Sequence, residues 1–216
     1  MNNIVSRQVA EKLLEINAVS LRPTEPFTWA SGLRTPIYCD NRLIMSFPQA
    51  RDFIESAFAE MIQSHFEGVE VIAGTATAGI PHAAFVANIL NLPMIYVRSS
   101  AKDHGKNNAI EGYLKPGSKV VMVEDLISTG GSVLEAAQKV TEAGGEVIGC
   151  AAIFNYLLES GHQAFAGVNF PLLTLTNYSE LVDVAVKDGE LAKHYETLVN
   201  WYQDPIAWSN NFNQEV

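Results

Sequence analysis

The sequence predicts an α/β fold with a mostly parallel central sheet and helices on both faces. Three observations predict it. Short β-branched runs at 69–74 (VEVIAG), 94–97 (MIYV), 120–123 (VVMV), 146–156 (EVIGCAAIFNY) and 171–178 (PLLTLTNY) have the composition of buried strands. Segments with apolar residues at helical spacing separate most of them, and such alternation requires crossover connections, hence parallel pairing. Finally, small-residue turns follow two of the runs, TATAG after 74 and STGGS after Ile127. That is the strand–turn–helix arrangement of an anion cradle.

Taken in order, residues 4–18 place Val5, Val9, Leu13, Leu14 and Ile16 on one helical face. Pro23 and Pro26 break that helix. The segment TWASGLRTPIYCDNRL begins with a turn at Ser31-Gly32 and runs extended through Pro36, Ile37 and Tyr38, since a residue before proline is pushed towards β. Arg34 is available to an anion there, and Arg42 reads equally as a ligand or as half of a structural ion pair. Pro48 to Phe66 reads as a helix with Phe53, Ile54, Ala57, Phe58, Met61 and Ile62 in one apolar stripe. His82, on the helix after the first small-residue turn, reads as a core or interface histidine rather than a ligand. The loop RSSAKDHGKNNAIEG at 98–112 is polar and has no apolar period, so it is expected to be mobile and able to close over an anion. Gly144-Gly145 stop the helix after the second turn. A short helix from about Leu157 and helices at 178–187 and 190–201 complete one domain spanning 1–216, and the Asn-rich stretch 203–216 reads as a frayed tail.

The chain is organised around Lys119–Ser132, KVVMVEDLISTGGS. Glu124 and Asp125 come where the strand should emerge. Ser128, Thr129, Gly130 and Gly131 let backbone amides close on an anion, and Ser132, with Glu135, reads as a capping box. Neither GxxxxGK[ST] nor a GxGxxG opening a βαβ unit is present, which removes support for P-loop and dinucleotide readings. Two carboxylates beside a phosphate repel it unless they serve adjacent hydroxyls or a metal ion. A ribose 5-phosphate satisfies both halves; an acidic loop with a glycine turn is the plain alternative.

VVMVEDLISTGGS resembles the phosphoribosyl pyrophosphate (PRPP) signature of type I phosphoribosyltransferases, and SGLRTPIYCDNR and VRSSAKDHGKNNAIEG resemble segments of the orotate phosphoribosyltransferases. The resemblance covers roughly residues 5 to 190. It implies a type I phosphoribosyltransferase fold in which residues 1–45 form a helix and a small hood, with the backbone near Ile37 and Tyr38 facing orotate. It further implies that PRPP is bound by Arg98, Lys102, His104, Glu124, Asp125, Leu126, Ile127, Ser128, Thr129, Gly130, Gly131 and Ser132. Lys102, His104 and Asp125 would be catalytic, Ser128 would also touch orotate, and amides of Thr75, Ala76, Thr77 and Ala78 would lie beside the pyrophosphate. Mg2+ is the implied cofactor, carried by substrate rather than by assigned protein ligands. A homodimer is implied, with loop 98–112 acting on the neighbouring subunit. The chain departs from the family at Ala30 and Ser99, where relatives carry lysine, and FNYLLESG lacks an arginine some members use for orotate. A phosphoribosyltransferase for another base and a non-catalytic PRPP-sensing regulator remain as alternatives.

Composition narrows these. A chain of 216 residues with 48% hydrophobic and 18% charged residues holds one full α/β core. Its net charge of −10 opposes broad nucleic-acid binding, and a regulator would need an added DNA-binding domain. Five of the 14 Lys and Arg cluster at Arg98, Lys102, Lys106, Lys115 and Lys119. Cys39 and Cys150 are the only cysteines and have neither zinc nor disulfide spacing, so a cytoplasmic location is expected. Cys150 reads as buried, and Cys39 lacks a base partner. No basic leader and no apolar run approaching the ~20 residues of a membrane span is present.

Overall fold

The computed structural model describes residues 3–99, 109–187 and 189–214. The chain forms α1 (Asn3–Glu15), β1 (Val19–Leu21), β2 (Phe27–Thr28), β3 (Arg34–Thr35), β4 (Ile37–Cys39), a 3-10 turn (Asn41–Ser46), α2 (Pro48–His65), β5 (Val71–Thr75), α3 (Gly79–Leu90), β6 (Met94–Val97) and β7 (Ile110–Glu111). It continues with β8 (Lys119–Ile127), α4 (Gly131–Glu142), β9 (Glu146–Asn155), α5 (Glu159–Ala166), β10 (Leu172–Asn177), α6 (Tyr178–Ala185), a second 3-10 turn (Glu190–His194), α7 (Tyr195–Gln203) and α8 (Pro205–Gln214).

The central sheet has the order β10-β9-β8-β5-β6-β7. Every pairing in it is parallel except β6 with β7. The expected mostly parallel sheet is therefore present, with β8 near its middle. Strand alternation sorts the core into two layers. Val121, Val123, Ala151 and Ile153 face a layer built with α1, α2, α3 and α6. Val120, Met122, Cys150 and Ala152 face the layer under α4. Both faces are covered, which is why these strands are apolar without a break.

Two small antiparallel ribbons, β1 with β4 and β2 with β3, make the hood. Trp29 reaches from it to Tyr156 and Trp201, at ring separations of 5.4 and 5.8 Å, and so joins the hood to the end of β9 and to α7.

Two expectations are corrected. The stretch 203–216 is not frayed where it is described: Pro205–Gln214 is helical. Asp204 Oδ1 accepts from the Ala207 amide at its start, and Ser209 Oγ accepts from the Arg34 amide at 2.9 Å. Trp208, packed on the core, supplies the apolar anchor that the polar composition concealed. The cap of α4 is Gly130, at φ +77°, and no side chain caps the helix; Ser132 lies inside its first turn. A Cβ at Gly130 would lie 2.8 Å from Phe165 Cε2, so glycine is required there twice over.

Candidate active site

The C-terminal end of β8 and the turn after β5 open on one cavity of about 230 Å³, lined by residues 76–78 and 124–133. It sits outside the carboxyl ends of parallel strands, where open α/β sheets bind ligands. Every residue expected in the second turn lines it, from Glu124 to Ser132, together with Ala76, Thr77 and Ala78 from the first. The strand reaches further than its apolar run suggested: β8 continues to Ile127, so both carboxylates lie inside it. The Ala76–Thr77 peptide is cis.

The two halves are held together by close backbone approach. A Cβ at Gly79 would lie 2.5 Å from Val123 O and 3.4 Å from Glu124 Oε1. Only glycine lets the start of α3 rest directly on β8. On the other side, the first amides of α4 have no intrahelical acceptors and carry the positive end of the helix dipole. The cavity thus presents amides at one end and carboxylates at the other.

Glu124 is buried, and Asp125 is half-buried. Burial, together with the adjacent Asp125 side chain, pushes the Glu124 carboxyl up to about 9. Its Oε1 accepts from the Asp125 amide at 3.0 Å.

Arg98 does not line the cavity. It follows β6, its amide bonds Ala109 O at 2.8 Å, and its Nη1 lies 3.4 Å from Glu111 Oε1. Lys139 Nζ donates to the carbonyls of Arg98 and Ser99 at 3.3 and 3.2 Å. The base of the expected closing loop is thereby fixed to the sheet edge and to α4. Lys102, His104 and Lys106 lie outside the described residues.

Arg42 resolves as an ion pair, its Nε and Nη2 at 2.6 and 2.9 Å from Asp40, and the Arg42 guanidinium holds the Asp40 carboxyl low. His82 is fully buried against Glu55. Burial pushes the Cys39 thiol up, and the nearby Asp125 and Asp40 push the same way. This is the opposite of what activates a cysteine nucleophile. Sequence reasoning missed Asn41, which is fully buried and donates from Nδ2 to Asp125 O at 2.7 Å. Its only sequence cue was position, directly after the PIYCD strand.

Among the described residues no group of three or more His, Cys, Asp or Glu is placed to hold a metal ion. The donor set of the cavity, two adjacent carboxylates, suits Mg2+ held mostly by substrate phosphates and water, the usual mode for this ion.

Residues 46–166 match the model of the phosphoribosyl transferase domain family, which is the class of protein this sheet and cavity define. The chain is 56% identical over 205 residues to an orotate phosphoribosyltransferase of Listeria innocua, covering 94% of this chain and 98% of that one. It is 53% identical over 207 residues to the orotate phosphoribosyltransferase of Bacillus caldolyticus, covering 95% and 100%. The UMP synthase of Leishmania donovani superimposes with a TM-score of 0.77 at 27% identity, over 92% of this chain and 42% of that one. The chain belongs to the orotate phosphoribosyltransferase family.

Proposed function

We propose that this protein transfers the ribose 5-phosphate of PRPP to orotate, giving orotidine 5-monophosphate and pyrophosphate in the synthesis of UMP. The observation that carries the reading is the cavity at the end of β8, where the α4 amides and the Glu124–Asp125 pair converge. A relative 56% identical over nearly the whole chain bears that activity as its name.

In this reading the amides of 129–132 and the hydroxyls of Ser128, Thr129 and Ser132 hold the 5-phosphate. Glu124 and Asp125 accept from the ribose 2- and 3-hydroxyls. Glu124 meets the incoming polyanion neutral, which lowers the negative charge facing it. Breaking the C1–O bond builds positive charge on the ribose and negative charge on the departing pyrophosphate, while a ring nitrogen of orotate takes the vacated position. Arg98, Lys102 and His104 neutralise the leaving group as the loop closes, and losing one such contact costs on the order of 10²–10³ in rate. Mg2+, when bound with PRPP, supplies further charge neutralisation. Bond formation at C1 releases the proton of that ring nitrogen, which the departing pyrophosphate can take, so orientation by the hood and by Ser128 matters more than a dedicated base. The loop acts across a homodimer, and the protein works in the cytoplasm; no described helix is long and apolar enough to cross a membrane.

The test follows the ultraviolet absorbance of orotate with protein, PRPP and magnesium, with uracil, hypoxanthine and adenine alongside. Loss of the orotate signal that depends on all three additions is expected. Turnover of a different base would reassign the substrate, and PRPP binding without turnover of any base would make the protein a sensor.

A further inference from the structure

We infer that Asn41 is a positioning residue: it completes the hydrogen bonding of β8 at Asp125 and so sets the register between the hood and the acid pair. The inference rests on the orotate phosphoribosyltransferase reading above.

The need arises from the sheet. β5 pairs with β8 only as far as Gly74 opposite Val123. Asp125 lies two residues past that point, where β5 supplies no further partner, and a buried carbonyl left unbonded is costly. Asn41 takes the vacant place: its Nδ2 donates to Asp125 O at 2.7 Å, across 84 positions of sequence.

The side chain is fixed on both sides. Its Oδ1 accepts from Cys39 Sγ at 3.3 Å. Asn41 opens the 3-10 turn that Asp40 caps through the Arg42 amide. Just upstream, the fully buried Thr35 hydroxyl donates to Ile37 O and accepts from the Ile37 amide, at 3.1 and 3.3 Å. These bonds lock the strand that carries Ile37 and Tyr38. Asn41 itself does not line the cavity. It acts through Asp125, holding the hood and the ribose-facing carboxylates as one piece.

The experiment compares Asn41→Ala, Asn41→Asp and Cys39→Ala with the parent chain in the orotate assay, with PRPP affinity and thermal melting measured in parallel. Asn41→Asp keeps the size but sets a carboxylate oxygen against the Asp125 carbonyl. Both Asn41 variants are expected to lose on the order of 10²-fold in kcat, the scale of a 1 Å misplacement. PRPP should still bind, because the α4 cradle is untouched, and kcat should stay low at temperatures where melting shows the variants fully folded. Cys39→Ala removes only the weaker thiol contact and leaves the Asn41–Asp125 bond in place, so it should lose far less kcat than either Asn41 variant. Should Asn41→Ala not fold, Asn41→Gln, with its amide one methylene further out, is the second variant, and a folded protein with reduced kcat is expected. Parental kcat in any folded Asn41 variant, or a loss that disappears when the variant is fully folded, overturns the inference. A parent chain that leaves orotate untouched fails the functional reading instead, so the two failures are distinguishable.

Discussion

His82 Nδ1 lies 2.5 Å from Glu55 Oε1, with both side chains fully buried where α3 packs on α2. Among the described residues, neither His82 Nε2 nor Glu55 Oε2 has a hydrogen-bond partner. Burial pushes the Glu55 carboxyl up against the opposing pull of His82 and Arg51. The pair therefore stands on a single contact inside an apolar layer.

Such pairs are poorly replaced one member at a time. His82→Ala is expected to cost about 3–5 kcal/mol in denaturant unfolding, because it strands Glu55 without a partner. Replacing both residues together, as Glu55→Met with His82→Leu, should recover most of that loss. A single variant as stable as the parent would show that the contact contributes nothing.

How much of this was legible in the sequence depends on the range of the interaction. The strands at β5, β6, β8, β9 and β10 were legible because each is a short β-branched run bounded by turn residues, and the cradle was legible because STGGS follows such a run. His82 reads from the sequence as a core or interface histidine, and it is buried; its pairing with Glu55 was not legible, because 27 positions separate the two and no local pattern signals a contact made by helix packing. Asn41 was opaque for the same reason, its acceptor being a backbone carbonyl 84 positions away. The tail misled because composition weighed its asparagines, whereas Trp208 and Ser209 decide its fate through contacts with the core and the hood. Gly130 displaced Ser132 as the cap because the turn needs a positive φ beneath Phe165, a tertiary constraint that outranks a capping preference.

Glu124 gives the free protein a pH-dependent stability of known sign. Its carboxyl titrates near 9 when folded and at the ordinary carboxylate value of 4.5 when unfolded. A raised folded pKa stabilises fully below the unfolded pKa, and that contribution is lost as pH rises through the folded one. Between pH 5 and 9 the ligand-free protein should lose up to about 1.4 kcal/mol per pH unit from this group. Denaturant unfolding at several pH values should show the decline, and Glu124→Gln should flatten it. An unchanged slope in Glu124→Gln would assign the decline to other groups.

Gly79 carries the closest approach in the site. Its missing Cβ would sit 2.5 Å from Val123 O, a backbone atom that cannot step aside as a flexible side chain could. Gly79→Ala is therefore expected to push the start of α3 off β8 and shift residues 76–78 away from the carboxylates. Overpacking of this kind costs about 1–3 kcal/mol. The larger effect should be on PRPP affinity, measured by titration of the folded variant. Parental affinity in that variant would mean that the 76–78 turn plays no part in binding.

The position of the loop base bears on whether the site is shared between subunits. β6 and β7 lie at the sheet edge, and two strand spacings separate β6 from β8, or about 10 Å. Arg98 and Ala109 close the base at that edge, and Lys139 of α4 holds it through the carbonyls of Arg98 and Ser99. A loop leaving there can serve a neighbouring subunit. If it does, mixing Lys102→Ala chains with Asp125→Asn chains creates hybrid dimers in which one site joins an intact cradle to an intact loop. Random exchange in equal amounts puts half the chains' sites in hybrids and makes half of those complete, so about a quarter of parental activity should return for a two-fold dimer. The readout is orotate turnover before and after subunit exchange, with each variant alone as the baseline. Activity equal to the sum of the two baselines would place the loop on its own subunit's cradle.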